Sequence, residues 1–133
     1  MIAVDTNVLV RALVDRTDDA EQQRRARQAL LSVEAAGEEI FLSSLVVAEM
    51  AWVLRRAAQL SRGEIAQILE ALLALPHVRW EDRVAVTDGV RALRSGGPGL
   101  ADHLIRGAAL RAGARTLLTF DAQLLKLGGC STP

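Results

Sequence analysis

The sequence predicts an α/β domain in which short parallel strands alternate with helices. Three observations support this fold class: apolar runs of a few residues, turn-forming or helix-capping residues directly after them, and longer segments with helical spacing of apolar side chains between one run and the next. Parallel strands need long crossover connections, which helices supply. We therefore expect a parallel sheet with helices on both of its faces.

The first strand and the first two helices illustrate the signals. Residues 2–4 are apolar, and Asp5, Thr6 and Asn7 after them are typical of turns and helix N-caps. The apolar spacing that follows predicts a helix. The next helix is rich in Ala, Gln, Arg and Leu and ends before Gly37, a residue type that commonly terminates helices.

The remaining elements follow from the same signals. Ser43, Ser44 and Ser61 are candidate N-caps, and the run Ser-Gly-Gly-Pro-Gly at residues 95–99 predicts a loop between two helices. A short helix is expected after Asp121. We predict helices over residues 20–36, 45–58, 61–74, 83–94 and 101–112, strands over residues 40–42, 78–80 and 116–118, and a weakly indicated final strand at residues 128–130.

Length and composition predict a single domain over residues 1–133, because half of the residues are hydrophobic and 24% are charged, a balance typical of globular proteins. The lone Cys130 has no partner for a disulfide within the chain, and no secretory signal pattern opens the sequence. No apolar run approaches the roughly 20 residues of a membrane helix. We expect a cytoplasmic protein without a membrane span.

Four acids stand out by position. Asp5 and Asp121 follow predicted strands, Glu49 lies near the start of the helix after the second strand, and Asp102 lies in the first turn of the helix after the glycine loop. Sites in open parallel sheets lie outside the carboxyl ends of the strands, so we expect one edge to collect all four. Gathered carboxylates repel each other unless protons or cations neutralise them, which favours a divalent metal site.

Each aspartate also has a purely structural explanation. Asp5 and Asp121 are natural helix caps or Asx-turn residues. Asp102 has Arg106 one helical turn later, so an ordinary ion pair would account for it. Glu49 lacks such a partner in the sequence, because the residues three and four positions away are all apolar: Leu45, Val46, Trp52 and Val53.

The overall charge does not point to a nucleic-acid partner, because 16 basic residues balance 16 acidic ones. Subtracting the four singled-out acids leaves 12 acidic groups against 16 basic ones, which permits phosphate contacts. His77 and His103 lack a second imidazole at ligand spacing, so we expect surface or loop roles for both. Nucleotide-binding glycine motifs and a nucleophile elbow are absent from the sequence.

Four segments contain the singled-out acids. They are, in chain order, Val4-Asp5-Thr6-Asn7-Val8-Leu9-Val10-Arg11, Val47-Ala48-Glu49, Ala101-Asp102-His103-Leu104-Ile105 and Thr119-Phe120-Asp121. In this order and spacing they resemble the PIN-domain ribonucleases, and most closely the VapC-type toxins of bacterial and archaeal toxin–antitoxin systems. The resemblance implies a three-layer α/β/α fold with a short central parallel sheet of four to five strands.

The resemblance also implies a site and its partners. The catalytic, metal-binding acids would be Asp5, Glu49, Asp102 and Asp121, supported by Thr6, Asn7 and Thr119. The family binds Mg²⁺ or Mn²⁺, cleaves single-stranded or looped RNA such as transfer RNA, forms homodimers and is blocked by a VapB-type antitoxin. Gly99 stands where many relatives carry a further acid, which leaves open whether one or two metal ions bind.

The residue types agree with this chemistry. Carboxylates are hard oxygen ligands that suit Mg²⁺ or Mn²⁺ better than zinc. The predicted reaction is hydrolysis of a phosphodiester by metal-activated water, in which Glu49 binds the metal or orients the water. Contacts with the RNA backbone are assigned to arginines, with Arg11, Arg55, Arg56 and Arg106 as candidates.

Two alternatives have different sequence support. A catalytically silent PIN-like domain that binds RNA or a partner protein is favoured by Gly99 alone. A phosphatase of the haloacid dehalogenase type needs an acid at the position of Asn7 and a downstream lysine, and Lys126 is poorly placed for that role.

Overall fold

The computed structural model describes residues 1–15 and 19–133. Its contacts group the chain into two compact units, Met1–Glu81 and Asp82–Pro133. The described residues form six α-helices and five short strands, and the strand pairings among them are all parallel. The predicted α/β class is therefore confirmed. The assignment of residues 1–133 to one domain stays a prediction.

The first unit contains a three-stranded sheet with the strand order β1-β2-β3. Ile2 of β1 lies opposite Ile40 of β2, and Ile40 lies opposite Val78 of β3. The elements of this unit are β1 (Ile2–Ala3), α1 (Thr6–Leu13), α2 (Ala20–Ala35), β2 (Ile40–Leu42), α3 (Ser44–Arg56), α4 (Arg62–Leu73) and β3 (Val78–Trp80).

Local capping signals place the helix ends close to the predicted positions. The Ser43 hydroxyl accepts a hydrogen bond from the Val46 backbone N–H at 3.2 Å and starts α3. Ser61 and Glu64 form a reciprocal capping box at α4, with both bonds at 3.1 Å. Gly37, with φ of 69°, follows the end of α2 in the left-handed region that favours glycine.

Helices α1 and α2 run antiparallel, as two hydrogen bonds from side chains of α2 to carbonyls at the end of α1 show. Arg27 donates to the Ala12 carbonyl at 2.9 Å, and Gln23 donates to the Val14 carbonyl at 2.7 Å. Arg27 also pairs with Asp15 at 2.8 Å. Earlier residues of α2 therefore face later residues of α1.

The core of the first unit lies where α1, α3 and α4 contribute fully buried side chains alongside the sheet. Burial of such apolar side chains is the main favourable contribution to folding. The largest of them are Leu9, Leu42, Val47, Met50, Leu54 and Leu69.

The second unit contains two helices and a small parallel sheet. Its elements are α5 (Arg83–Ser95), α6 (Leu100–Arg111), β4 (Leu117–Leu118), a 3₁₀ turn (Leu124–Lys126) and β5 (Cys130–Ser131). The 3₁₀ turn occupies the place of the short helix predicted after Asp121. The weakly indicated final strand forms as β5, in which Cys130 lies opposite Leu117 of β4.

Glycines let α5 and α6 approach each other closely. A Cβ atom at Gly89 would lie 3.1 Å from the Cα of Leu100, and one at Gly107 would lie 3.0 Å from the Cβ of Ala85. Asp82 caps α5 by accepting from the Ala85 N–H at 2.9 Å and also pairs with Arg111 of α6. The two helices are thus joined by close packing and by a buried carboxylate.

The five strands lie in two hydrogen-bonded sheets, three in the first unit and two in the second. Strands β4 and β5 are each two residues long. None of the helices in the described ranges is long and apolar enough to cross a membrane.

Candidate functional site

Asp5 is exposed directly after the first strand and caps α1. Its Oδ1 accepts a hydrogen bond from the Thr6 backbone N–H at 2.8 Å. The structural explanation from the sequence is therefore correct for one carboxylate oxygen, whereas Oδ2 has no hydrogen-bond partner among the described residues. Thr6 is buried and Asn7 is exposed, and the supporting roles of their side chains stay predictions.

Glu49 is exposed on α3 and makes no hydrogen bond or ion pair with a described residue. Leu45 and Trp52, four residues before it and three after it, are 77% and 62% exposed. This helix face therefore carries a carboxylate between two large apolar side chains in contact with solvent.

Asp102 is half-buried in the first turn of α6. Its Oδ2 accepts a hydrogen bond from the Gly99 backbone N–H at 3.1 Å. The alternative explanation through an ion pair with Arg106 is wrong, because Arg106 instead donates from Nε to the Gly128 carbonyl at 2.6 Å. The helix start holds one oxygen of Asp102, and Oδ1 has no partner in the described part of the chain.

Asp121 is exposed in the turn after β4. Its Oδ1 accepts hydrogen bonds from the backbone N–H groups of Gln123 at 2.7 Å and Leu124 at 3.2 Å. The Asp121 N–H donates to the Thr119 hydroxyl at 3.0 Å, and Thr119 is tied to Ser131 by a backbone bond of the same length. Thr119 therefore fixes the backbone from which Asp121 projects.

The four candidate acids share one property: no described residue forms an ion pair with any of them. Most other carboxylates are neutralised. The pairs are Asp15 with Arg27, Glu21 with Arg24, Glu38 with the N-terminal amine, Glu39 with Arg79, Asp82 with Arg111 and Asp88 with Arg91.

Two of these pairings lower the pKa of a glutamate. A hydrogen bond from Arg24 lowers the pKa of Glu21, and one from Arg79 lowers the pKa of Glu39. The candidate acids lack such cations. Among the described residues, no protein cation therefore neutralises the charge of these four carboxylates, and a bound cation could do so.

The chemistry of these side chains fits Mg²⁺ or Mn²⁺. Asp5, Asp102 and Asp121 each have one oxygen oriented by a backbone N–H and a second oxygen without a partner among the described residues. Carboxylate oxygens are the ligands these ions prefer. Neither unit by itself gathers three or more His, Cys, Asp or Glu side chains at metal-binding distance within the ranges described.

A protein-family model described as PIN domain matches residues 2–129 of the chain. The chain belongs to the PIN-domain family. No curated protein matches it. The family match includes the positions of all four candidate acids, and PIN domains are typically metal-dependent nucleases.

The histidines of this PIN domain differ in burial. His77 lies in the turn between α4 and β3, as expected, with Nδ1 at 3.9 Å from Glu34. The surface or loop role expected for His103 is wrong, because this side chain is only 9% exposed and its Nε2 has no hydrogen-bond partner among the described atoms. His103 lies on the same face of α6 as the buried residues Leu100 and Leu104. The helical spacing of these residues in the sequence could therefore have predicted its burial.

The arginines proposed to contact RNA have different surroundings. Arg55 donates to the Leu60 carbonyl at 3.2 Å, and Arg106 is held by Gly128. Arg11 lines a groove between α1 and α2 together with Arg25, a residue that sequence reasoning missed. No local pattern marks Arg25, because the groove arises only when the two helices pack antiparallel.

Proposed function

We propose that this PIN-domain protein is a Mg²⁺- or Mn²⁺-dependent endoribonuclease and the toxin of a VapBC-type toxin–antitoxin pair. One observation carries the proposal: the four acids at the positions of the family's motifs have no protein cation among the described residues. The aspartates among them are also oriented by backbone N–H donors.

The proposed roles follow from these contacts. Asp5, Asp102 and Asp121 hold the ion, and Glu49 binds it or accepts a proton from the attacking water. Backbone N–H donors restrict the rotation of the three aspartates, so the carboxylates are oriented before an ion binds. A bound Mg²⁺ or Mn²⁺ supplies Lewis acidity for phosphodiester hydrolysis. Thr119 positions Asp121 through the bond to its N–H.

The test compares two aspartates that both cap helices. Asp5→Asn and Asp19→Asn each remove one negative charge, and Asn caps helices about as well as Asp. Asp19 accepts from the Gln22 N–H at 2.9 Å at the start of α2 and is not among the candidate acids. Single-stranded RNA is incubated with each protein in Mg²⁺ or Mn²⁺, and cleavage rates are measured.

We expect Asp5→Asn to lower the cleavage rate by more than about 100-fold, because loss of outer-sphere support alone costs about 10–100-fold in metal sites. Asp19→Asn should cleave like the parent protein. Addition of Mn²⁺ should raise the melting temperature of the parent and of Asp19→Asn but not that of Asp5→Asn. Cleavage by Asp5→Asn at the parental rate would contradict the proposal.

A catalytically silent PIN domain that acts by binding RNA or a protein remains the second candidate. Gly99 favours it, because it supplies no side chain where many relatives carry a further acid. Tight RNA binding without cleavage in either metal ion would support this alternative over the nuclease.

The toxin assignment, the homodimer and the VapB-type antitoxin rest on the resemblance and have a separate test. Induced expression of the chain should arrest bacterial growth, and co-expression of a small protein encoded beside it, with a DNA-binding amino-terminal region and a tail containing Pro and Arg, should restore growth. Growth without arrest would contradict the toxin assignment while leaving the nuclease to the cleavage assay.

A further inference from the structure

We propose that the groove between α1 and α2 binds the phosphate backbone of single-stranded RNA, with Arg11 and Arg25 as its cationic contacts. The inference rests on the proposed function in one respect, since it takes RNA as the substrate. It adds a binding surface that the acids do not supply.

The groove is a cleft of about 710 Å³ within the first unit. Small side chains of Ala26 and Ala29 leave the space between the two helices open. The polar groups along it are Asn7, Arg11, Gln22, Arg25, Gln28 and Ser32, and among the described residues lining it there is no carboxylate. The lining therefore carries two positive charges and four neutral polar side chains.

The charge of Arg25 distinguishes it from its neighbours on α2. Arg24 is bound to Glu21 by two hydrogen bonds, at 2.8 and 3.2 Å, and Arg27 is paired with Asp15. Arg25 has no hydrogen bond or ion pair with any described residue. Arg24 lowers the pKa of Glu21 most and the charge of Arg25 helps to lower it, but the Glu21 carboxylate is hydrogen-bonded to Arg24. The guanidinium donors of Arg25 are therefore available to a ligand, whereas those of Arg24 and Arg27 are engaged.

Arg11 likewise forms no ion pair with a described residue. Its guanidinium donates to the Asn7 carbonyl at 3.3 Å, which is a contact with a neutral group. Guanidinium groups bind phosphate through two parallel N–H donors, so a pair of them across a cleft suits consecutive phosphates of a nucleic-acid strand. The amides and the hydroxyl beside them match phosphate oxygens and ribose hydroxyls.

The position of the groove relates it to the candidate chemistry of the first unit. Asn7 is the second residue after Asp5, and Arg11 lies one helical turn, about 6 Å, farther along α1. A strand held along this groove would therefore pass close to Asp5. The described residues that line the cleft include no aromatic side chain, so the proposed contacts are with the RNA backbone and do not stack bases.

The test measures RNA binding without cleavage. Binding of a short fluorescein-labelled single-stranded RNA is followed by fluorescence anisotropy in EDTA over a range of salt concentrations. The single variant Arg25→Gln and the double variant Arg11→Gln/Arg25→Gln are compared with the parent. Arg24→Gln is the control for Arg25→Gln, because it makes the same charge change one residue away and lies outside the groove lining.

We expect the double variant to bind RNA at least about tenfold more weakly. The slope of log K against log salt concentration should fall by about 1.4, since each lost phosphate contact on a single strand contributes about 0.7. Arg24→Gln should retain most of the affinity and the slope. Circular dichroism and thermal melting establish that each variant is folded.

The outcomes separate this inference from the nuclease. Unchanged affinity and slope in the double variant would overturn the groove assignment even if the parent cleaves RNA. Weakened binding in the double variant would support the groove even if the parent cleaves nothing. A loss of RNA affinity in Arg24→Gln equal to that in Arg25→Gln would overturn the assignment, because the change in net charge would then explain the effect.

A further arm uses a glutamate-rich peptide as the probe of an acidic protein partner. If the double variant loses affinity for that peptide but keeps its affinity for RNA, the groove receives an acidic protein segment and the RNA assignment is overturned. Loss of RNA affinity with peptide binding weak in all proteins supports the proposal.

Discussion

The two units of the chain bury their apolar side chains in different ways. Of the seven largest fully buried side chains in the described residues, six lie in the first unit and one, Val86, lies in the second. The second unit instead joins α5 and α6 at Gly89 and Gly107 and ends in two-residue strands, beside which Phe120 is 86% exposed. Conventional core packing dominates the first unit, and close contact between helix backbones dominates the second.

This difference bears on the candidate acids. Asp5 projects from a unit with a large buried core and lies between the buried residues Val4 and Thr6, so its position is set by the packing of these residues and of Leu9 on α1. Asp121 projects from a segment with little burial. Its carboxylate accepts hydrogen bonds from the backbone N–H groups of Gln123 and Leu124, and its own N–H donates to the hydroxyl of Thr119. Rigidity therefore has a different physical origin at the two positions.

The largest effect on stability should come from the core of the first unit. Leu54 is fully buried, and Leu54→Ala should lower the free energy of unfolding by roughly 2–5 kcal/mol through lost transfer free energy and a residual cavity. Phe120→Ala removes a larger side chain but should change the free energy of unfolding by less than about 0.5 kcal/mol, because that ring is already exposed. Unfolding in urea measures the free energy for both variants. Similar losses in the two variants would contradict the contrast.

An intermediate effect is expected at the contact between α5 and α6. Gly89→Ala places a methyl group against the side chain and backbone of Leu100 and should lower the free energy of unfolding by about 1–3 kcal/mol. Gly63→Ala on α4 is the matched control, because the nearest atom to its added Cβ, the Ser61 hydroxyl oxygen, is 3.9 Å away. That variant should be neutral or up to about 1 kcal/mol more stable.

Thermal melting of the two glycine variants decides this prediction. A destabilised Gly89→Ala beside a stable Gly63→Ala would show that the second unit depends on close approach of its helices. Equal melting temperatures for both variants and the parent would show that α5 and α6 can separate at low cost.

The smallest effect concerns a surface feature of the first unit, the capping box at α4. Ser61→Ala should cost about 1 kcal/mol. The backbone N–H and the side chain of Ser61 hold the pKa of Glu64 below its usual range. Because the folded pKa is the lower one, the stabilisation from Glu64 is present above the ordinary pKa of glutamate and is lost as the pH falls through the folded value.

Melting curves recorded from neutral to acidic pH test this feature. The difference in melting temperature between the parent and Glu64→Gln should shrink as the pH falls below the ordinary range of a glutamate. A difference that stays constant with pH would show that the Glu64 charge contributes nothing to the cap.

Much of the local structure follows from the sequence because its signals act over a few residues. Strands β2 and β3 occur at the predicted positions. Ser43 caps α3 and Ser61 caps α4, as the sequence predicted. The candidate acids and the PIN-domain resemblance were also recognisable, because they depend on residue type and order. The family match over residues 2–129 confirms that resemblance at the level of the family.

The tertiary structure alone decided the contacts and burial of several polar side chains. Arg106 binds the carbonyl of Gly128, 22 residues away, although Asp102 is one helical turn from it. His103 is buried because of the way α6 packs, and the groove with Arg25 exists because α2 folds back along α1. Capping and periodicity are encoded by neighbours in sequence, whereas these contacts depend on which distant segments meet when the chain folds.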